Sequence, residues 1–227
     1  MDVILLIMVK NMKTKLNESS ARGKNSAYSC NGASNHSNIE REENDFYATP
    51  PIATKTLVNY INEYYPEIKE KVIWECACGK GDISKVLKEN GFKVDSTDII
   101  DRGYGICGEE MNFLSFNNGN LPFGNYNIIT NPPYKYAQQF VEKAMEIMKV
   151  DNYCCMLLKL TFLEGKKRYE MFKKYPPMKV LVFSDRINCA LGGDFESTNE
   201  IGGAVCYAWY IWKKGYQGKT EIDWLRV

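Results

Sequence analysis

Buried strand-like runs alternate with segments of helical periodicity through most of this chain. Residues 153–160 form an apolar run typical of a buried strand, and the shorter, largely apolar segments 71–76 and 126–130 are predicted to be strands as well. Between residues 130 and 153, apolar side chains recur at helical spacing over residues 136–150. The alternation predicts an α/β fold with a mostly parallel sheet.

Further elements follow from the same patterns. Strands are predicted at residues 92–97, 179–184 and 204–213, and helices at residues 83–90 and 166–174. A further helix is predicted to begin with Thr49 as N-cap and Pro50 at the first helical position. Its free N–H groups would form a seat for a carboxylate.

Composition indicates one domain. The chain has 227 residues, 44% of them apolar, which suits one domain over residues 45–227. Residues 1–44 are polar apart from a nine-residue apolar start, and we expect them to be poorly ordered. That apolar start is too short to span a bilayer, so no membrane partner is expected.

The cysteines and the histidine indicate the cellular compartment and whether a metal site is expected. The eight cysteines are scattered singly or as neighbours, which favours reduced thiols in a cytoplasmic protein. His36 is the only histidine, and no pair of Cys-x2-Cys elements occurs. We therefore expect no metal.

Net charge is +1, but its distribution is uneven. Residues 155–227 contain 12 Lys/Arg against 8 Asp/Glu, and several of the basic residues cluster within residues 166–174. Such a cluster is either the solvated face of a helix or a surface that follows nucleic-acid phosphates.

A glycine turn follows the strand predicted at residues 71–76. Glu75 precedes Ala77, Gly79 and Gly81, and this spacing differs from that of a dinucleotide-binding GxGxxG turn. Asp98 lies 19 residues after Gly79, close to the separation at which an acid reaches ribose hydroxyls. Capping of the next turn is the alternative role for Asp98.

The run at residues 126–130 leads into Asn131-Pro132-Pro133-Tyr134. Prolines lack a backbone N–H, so this loop presents acceptors and few donors. The Asn131 side-chain oxygen and the Pro132 carbonyl can each accept one N–H of a planar amino group, while the Tyr134 ring covers its flat face. A proline-braced turn without function is the alternative.

These motifs, in this order, resemble S-adenosylmethionine-dependent amino-methyltransferases. The combination is most similar to small adenine-N6 DNA methyltransferases of phages and restriction systems, and the likeness covers about residues 45–213. It implies a Rossmann-like class I methyltransferase fold, with helices on both faces of a mostly parallel seven-stranded sheet that has one antiparallel strand.

The resemblance also implies roles for particular residues. S-adenosylmethionine is the implied cofactor, S-adenosylhomocysteine the product, and DNA the partner. Catalysis is assigned to Asn131, Pro132, Pro133 and Tyr134. Substrate contacts are assigned to Tyr134, Lys159 and Phe195, with surface packing as the alternative for Phe195. The implied cofactor contacts are Tyr47, Thr49, Pro50, Glu75, Ala77, Gly79, Gly81, Asp98, Asn112, Phe113 and Asn131. The family has an acid where this chain has Asn112.

Several alternatives stay open. The same chemistry could act on RNA adenine or on a protein glutamine amide, although the glutamine enzymes carry an additional N-terminal helical domain that we do not find here. Asn131 in place of serine argues against cytosine. The alternative outside the enzymes is a subunit that has the cofactor-binding fold but no catalytic activity, and that binds nucleic acid or a partner methyltransferase. No segment is long enough for a separate target-recognition domain, so we expect recognition from residues 99–120 and 185–203, or from a protein partner.

Overall fold

A computed structural model describes residues 46–191 and 205–227 of this protein. The predicted poorly ordered segment, residues 1–44, lies outside the described residues.

Ten strands are assigned among the described residues. They are β1 (Tyr47–Ala48), β2 (Val72–Glu75), β3 (Val94–Asp98), β4 (Ile106–Cys107), β5 (Tyr126–Thr130), β6 (Tyr153–Lys159), β7 (Lys179–Phe183), β8 (Ala190–Leu191), β9 (Tyr207–Lys213) and β10 (Glu221–Leu225).

Eight of these strands form one sheet in the order β10-β7-β9-β6-β5-β2-β3-β4. All neighbours are parallel except β9, which runs antiparallel to both β6 and β7. The predicted fold class and its single antiparallel strand are confirmed, although the sheet has eight strands instead of seven. In a separate two-stranded sheet, β1 pairs antiparallel with β8.

In the described part of the chain, four α-helices cover both faces of the large sheet. They are α1 (Pro51–Tyr64), α2 (Asp82–Glu89), α3 (Ala137–Ile147) and α4 (Lys166–Lys174). Buried side chains of α1 and α2 belong to one hydrophobic cluster, and those of α3 and α4 to another. Strand β6 serves both, since Cys155 and Leu157 lie in the first cluster and Met156 and Leu158 in the second. This two-sided burial explains its uninterrupted apolar sequence.

The start of α1 differs from the prediction. Pro50, not Thr49, is the N-cap, and Pro51 occupies the first helical turn. Proline at the first helical position has the required φ and forfeits no hydrogen bond, so the second proline begins the helix. The Thr49 side chain has another partner, described below.

Two further predictions concern the state of the cysteines and the presence of membrane-spanning segments. The described cysteines are all free thiols. Within residues 46–191 and 205–227, no helix has the length and apolarity needed to cross a membrane.

Candidate active site

A cleft of about 360 Å³ opens at the carboxyl ends of β2, β3 and β5. This edge is where open α/β sheets bind ligands, because the chain turns away from the sheet there and leaves a crevice. The structure brings ten predicted site residues into the lining: Tyr47, Thr49, Glu75, Ala77, Asp98, Asn112, Phe113, Asn131, Pro132 and Pro133.

Glu75 is the most deeply buried acid of the cleft, at 2% exposure. Its Oε2 accepts hydrogen bonds from the Ser84 backbone N–H (2.9 Å) and the Ser84 hydroxyl, which bind it to the first turn of α2. Desolvation raises the pKa of Glu75 to about 8, and the Ser84 hydrogen bonds only partly oppose it. A cation in the cleft would favour the ionised form of this carboxyl group.

The glycine turn orients Asp98. Gly79 has φ +53°, and its N–H donates to Asp98 Oδ2 at 2.8 Å. Asp98 Oδ1 accepts from the Ile100 N–H at 2.9 Å and lies 3.4 Å from Arg102 Nη1. A carboxylate has about four acceptor positions, so hydroxyl groups can still bind this acid.

Gly79 and Gly81 themselves are absent from the cleft lining among the described residues. A Cβ at Gly79 would lie 2.2 Å from the Phe46 ring, and Phe46 does line the cleft. The glycine therefore allows an aromatic ring to close over the turn.

Asn112 and Phe113 line the cleft but also have structural roles. Asn112 Oδ1 accepts from the Leu114 N–H at 3.1 Å and so caps a short 3-10 turn. The Phe113 ring stacks on Phe140, with 4.9 Å between centroids. Asn112 is partly exposed in the cleft, whereas Phe113 is buried behind it at the cleft wall.

Asn131 follows the last residue of β5. Its Nδ2 donates to the Tyr47 carbonyl oxygen (3.2 Å) and to Thr49 Oγ1 (3.0 Å). A carbonyl can only accept, so these bonds require the nitrogen of the amide at this position. The Asn131 Oδ1 is buried and has no hydrogen-bond partner among the described residues. A buried acceptor in this condition costs free energy until a donor reaches it.

Tyr134 and Lys159 lie together beside the cleft, and neither belongs to its lining. The Tyr134 ring packs against Tyr47 and Tyr207, with centroids 5.2 and 5.8 Å away. Lys159 Nζ lies 4.9 Å from the Tyr134 centroid. Burial raises the pKa of Tyr134 well above its ordinary value. Of the tyrosines near the loop, Tyr47 and Tyr136 line the cleft, and Tyr136 is 36% exposed.

Two further predicted residues complete the comparison. Pro50 begins α1 and is not part of the cleft lining. Phe195 lies outside the described residues.

Sequence reasoning missed several lining residues. They are Phe46, Cys76, Cys78, Asp82, Ile83, Ile99, Ile100, Arg102, Leu114, Tyr136 and Phe140. Most are immediate neighbours of predicted residues, and Arg102 lies four residues after Asp98, so adjacency to the motifs could have indicated them. Asp82 stands directly after the glycine turn, and burial raises its pKa despite Lys85 and Lys80 nearby.

Comparison with known proteins identifies the fold. No protein-family model matches the chain, and no curated protein matches it. Solved structures do. A candidate class I S-adenosylmethionine-dependent methyltransferase from Listeria monocytogenes is 14% identical, with a TM-score of 0.55 over 79% of this chain and 65% of that one.

Two other structures have similar scores. The type I restriction-modification methyltransferase subunit from Streptococcus thermophilus is 11% identical, with a TM-score of 0.56 over 81% of this chain and 48% of that one. A candidate RNA methyltransferase from Pyrococcus horikoshii is 16% identical, with a TM-score of 0.51 over 74% and 86%.

These likenesses establish the fold of the chain, which is the Rossmann-like fold of class I methyltransferases. The chain spans 65% of the length of the Listeria protein and 48% of the streptococcal subunit.

Proposed function

We propose that this protein transfers a methyl group from S-adenosylmethionine to the exocyclic N6 amine of a flipped-out adenine in DNA. The observation that carries the proposal is the Asn131 amide. Its nitrogen is held by Tyr47 and Thr49, and its buried oxygen has no partner among the described residues. An N–H donor from a substrate would satisfy that oxygen.

The cleft residues suit the proposed cofactor. When bound, S-adenosylmethionine supplies an electrophilic methyl group on a positively charged sulfur. Acids outnumber bases in the lining, with Glu75, Asp82 and Asp98 against Arg102. We assign Asp98 to the ribose hydroxyls, Glu75 to the ammonium group of the methionine part, and Asn112 and Phe113 to the adenine. The volume is also within the range of small-molecule sites.

In this proposal the motif loop orients the acceptor amine. Asn131 Oδ1 and the Pro132 carbonyl each accept one N–H of the amine, which localises the nitrogen lone pair that conjugation with the ring would otherwise spread. The rigid prolines hold the two acceptors in place. Positioning and electrostatic matching then lower the barrier, and the proton leaves after transfer without a strong base.

In this scheme the Tyr134 side chain stabilises the loop by packing and does not contact the substrate. Its ring packs between Tyr47 of β1 and Tyr207 of β9. Flipping an adenine out of a duplex costs a few kcal/mol, so unpaired adenine is the less demanding substrate.

A methyl-transfer assay tests the proposal. Labelled S-adenosylmethionine is incubated with DNA, RNA and protein pools, and the products are identified by nucleoside and amino-acid analysis. We expect label in N6-methyladenine of DNA. Label confined to RNA or to glutamine would replace DNA as the substrate, and absence of cofactor binding by calorimetry would leave only a binding subunit.

The variant Asn131→Ala tests the carrying observation. We expect cofactor affinity to be retained and turnover to fall about 10²- to 10³-fold, the usual effect of removing one positioned transition-state hydrogen bond. The exposed Asn59→Ala, on α1 and outside the cleft lining, is the matched control and should keep normal turnover. Equal activity of the two variants would contradict the role of Asn131.

A further inference from the structure

Positive charge is concentrated in one segment beside the cleft. Residues 159–174 contain six basic and two acidic side chains, a net charge of +4 in a chain whose total is +1. The rest of the chain therefore has a net charge of −3. Such segregation favours contact between this segment and a polyanion.

The segment begins next to the proposed catalytic loop. Strands β5 and β6 are parallel neighbours in which Thr130 pairs with Met156. Pro133 and Lys159 both come three residues later, at the same edge of the sheet. Lys159 Nζ contacts the Tyr134 ring at 4.9 Å, which confirms that the segment starts beside the loop.

Helix α4 is attached to the turn that precedes it and to the hydrophobic core. Arg168 Nε donates to the Phe162 carbonyl at 2.8 Å, and its Nη2 donates to the Thr161 carbonyl at 3.2 Å. Met171 is buried in the core beneath the helix. Arg168 therefore has a structural role, whereas the lysines of α4 have exposed side chains.

The exposed face of α4 carries an aromatic ring among lysines. Tyr169 is 58% exposed and lies between Lys166 and Lys173, at positions i−3 and i+4 on the same face. Lys173 Nζ is 5.6 Å from the ring centroid. Lys167 and Lys174 are also exposed and lie on one side of this line, beyond the exposed Glu170, so the four lysines outnumber a single acid on this face.

We propose that this face of α4, formed by Lys166, Lys167, Tyr169, Lys173 and Lys174, binds single-stranded DNA next to the nucleotide that occupies the cleft. The inference rests on the proposed function for its substrate class. Lysines would neutralise phosphates, and the ring would stack on a base. Base stacking requires an exposed base face, which an intact duplex does not offer. This surface therefore favours unpaired strands.

Binding of a fluorescent 20-nucleotide oligothymidylate, measured by anisotropy across a salt series, tests the surface separately from catalysis. Thymine has no exocyclic amine, so this probe is bound without being methylated. The triple variant Lys166→Gln, Lys167→Gln, Lys173→Gln should bind about ten-fold more weakly at moderate salt. Its salt slope should be shallower by about 2, because three phosphate contacts are lost.

Matched controls separate position from total charge. The variant Lys55→Gln, Lys69→Gln, Lys149→Gln removes three exposed lysines elsewhere and should leave binding almost unchanged. Tyr169→Ala should weaken binding about ten-fold while Tyr169→Phe keeps it, because either aromatic ring can stack. Circular dichroism and thermal melting of each variant confirm that the fold is kept.

Equal losses in the two triple variants, or tighter binding of a duplex or of single-stranded RNA, would overturn the inference. The outcomes also separate it from the proposed function. Oligothymidylate binding that depends on α4, without methyl transfer to any pool, would support the surface and refute the enzyme. If the α4 variants change neither methyl transfer to DNA nor binding of oligothymidylate, the proposed enzyme would be supported and the α4 surface refuted.

Discussion

Thr49 shows how one side chain changes its role when its tertiary neighbours are known. It is 3% exposed, and its hydroxyl accepts from the Asn131 amide 82 positions along the chain. The helix that it was predicted to cap begins at Pro51 instead. Thr49 therefore acts on the proposed catalytic amide by orienting it.

Replacement of Thr49 by valine keeps its shape and removes the acceptor. One amide hydrogen of Asn131 is then unpaired, at a cost of about 1–3 kcal/mol. If this cost destabilises the catalytic orientation of the Asn131 amide, turnover should drop about 10- to 100-fold with unchanged affinity for S-adenosylmethionine. Steady-state kinetics and calorimetry measure the two quantities.

The conservative Thr49→Ser variant is the control. It retains a hydroxyl at the same carbon and should restore most of the turnover. A main effect of Thr49→Val on cofactor affinity would show instead that Thr49 contacts the cofactor directly, as the sequence resemblance implies.

At the level of elements, the turn between β2 and α2 organises the cofactor side of the cleft. Gly79 adopts a left-handed conformation, donates to Asp98, and leaves room for Phe46. The motif spacing predicted this strand, turn and helix. It did not predict the ring, since Phe46 comes from a segment 33 residues upstream.

Gly79→Ala should weaken binding of S-adenosylmethionine and lower the free energy of unfolding. The left-handed backbone costs an L-residue about 1–2 kcal/mol. In addition, the new methyl group must displace the Phe46 ring that lines the cleft. Calorimetry and urea denaturation measure the two effects.

Gly103→Ala is the comparison for this element. Gly103 also has a positive φ, +81°, but a Cβ there meets no heavy atom within 4 Å. It should therefore show the backbone strain alone and keep cofactor affinity. Equal loss of cofactor affinity in both variants would contradict a specific role for Phe46.

At the level of the whole molecule, folding buries an acid between the sheet and α2. Glu75 loses its hydration, and its pKa rises from an ordinary value of 4.5 to about 8. Between these values the folded state holds a proton that the unfolded state has released. Stability therefore falls as pH rises through this window and levels off above it.

Glu75→Gln should remove this pH dependence. We expect the free energy of unfolding of the wild type to decline by a few kcal/mol between pH 5 and pH 8, and that of the variant to change much less. Urea denaturation at several pH values measures it. Exposed Glu89→Gln makes the same charge change and should keep the wild-type slope.

Local patterns in the sequence were sufficient for the order of the main elements and the fold class. Helix α4 begins and ends where predicted, and β6 differs by one residue, because periodicity and apolar runs report on burial directly. The three strands of two residues, β1, β4 and β8, were not predicted, because so short a strand has no periodicity and exists only through pairing with its partner.

The sequence by itself determined that Glu75, Asp98 and Asn131 would meet at one edge of the sheet, since each stands at or just after the end of a predicted strand. Only the tertiary structure decided how those groups are oriented. The amide of Asn131 is oriented by hydrogen bonds to Tyr47 and Thr49, and Tyr134 packs on Tyr47 and Tyr207 outside the cleft lining. Hydrogen bonds and ring contacts between residues far apart in the chain have no local signal, because they exist only after the chain has folded.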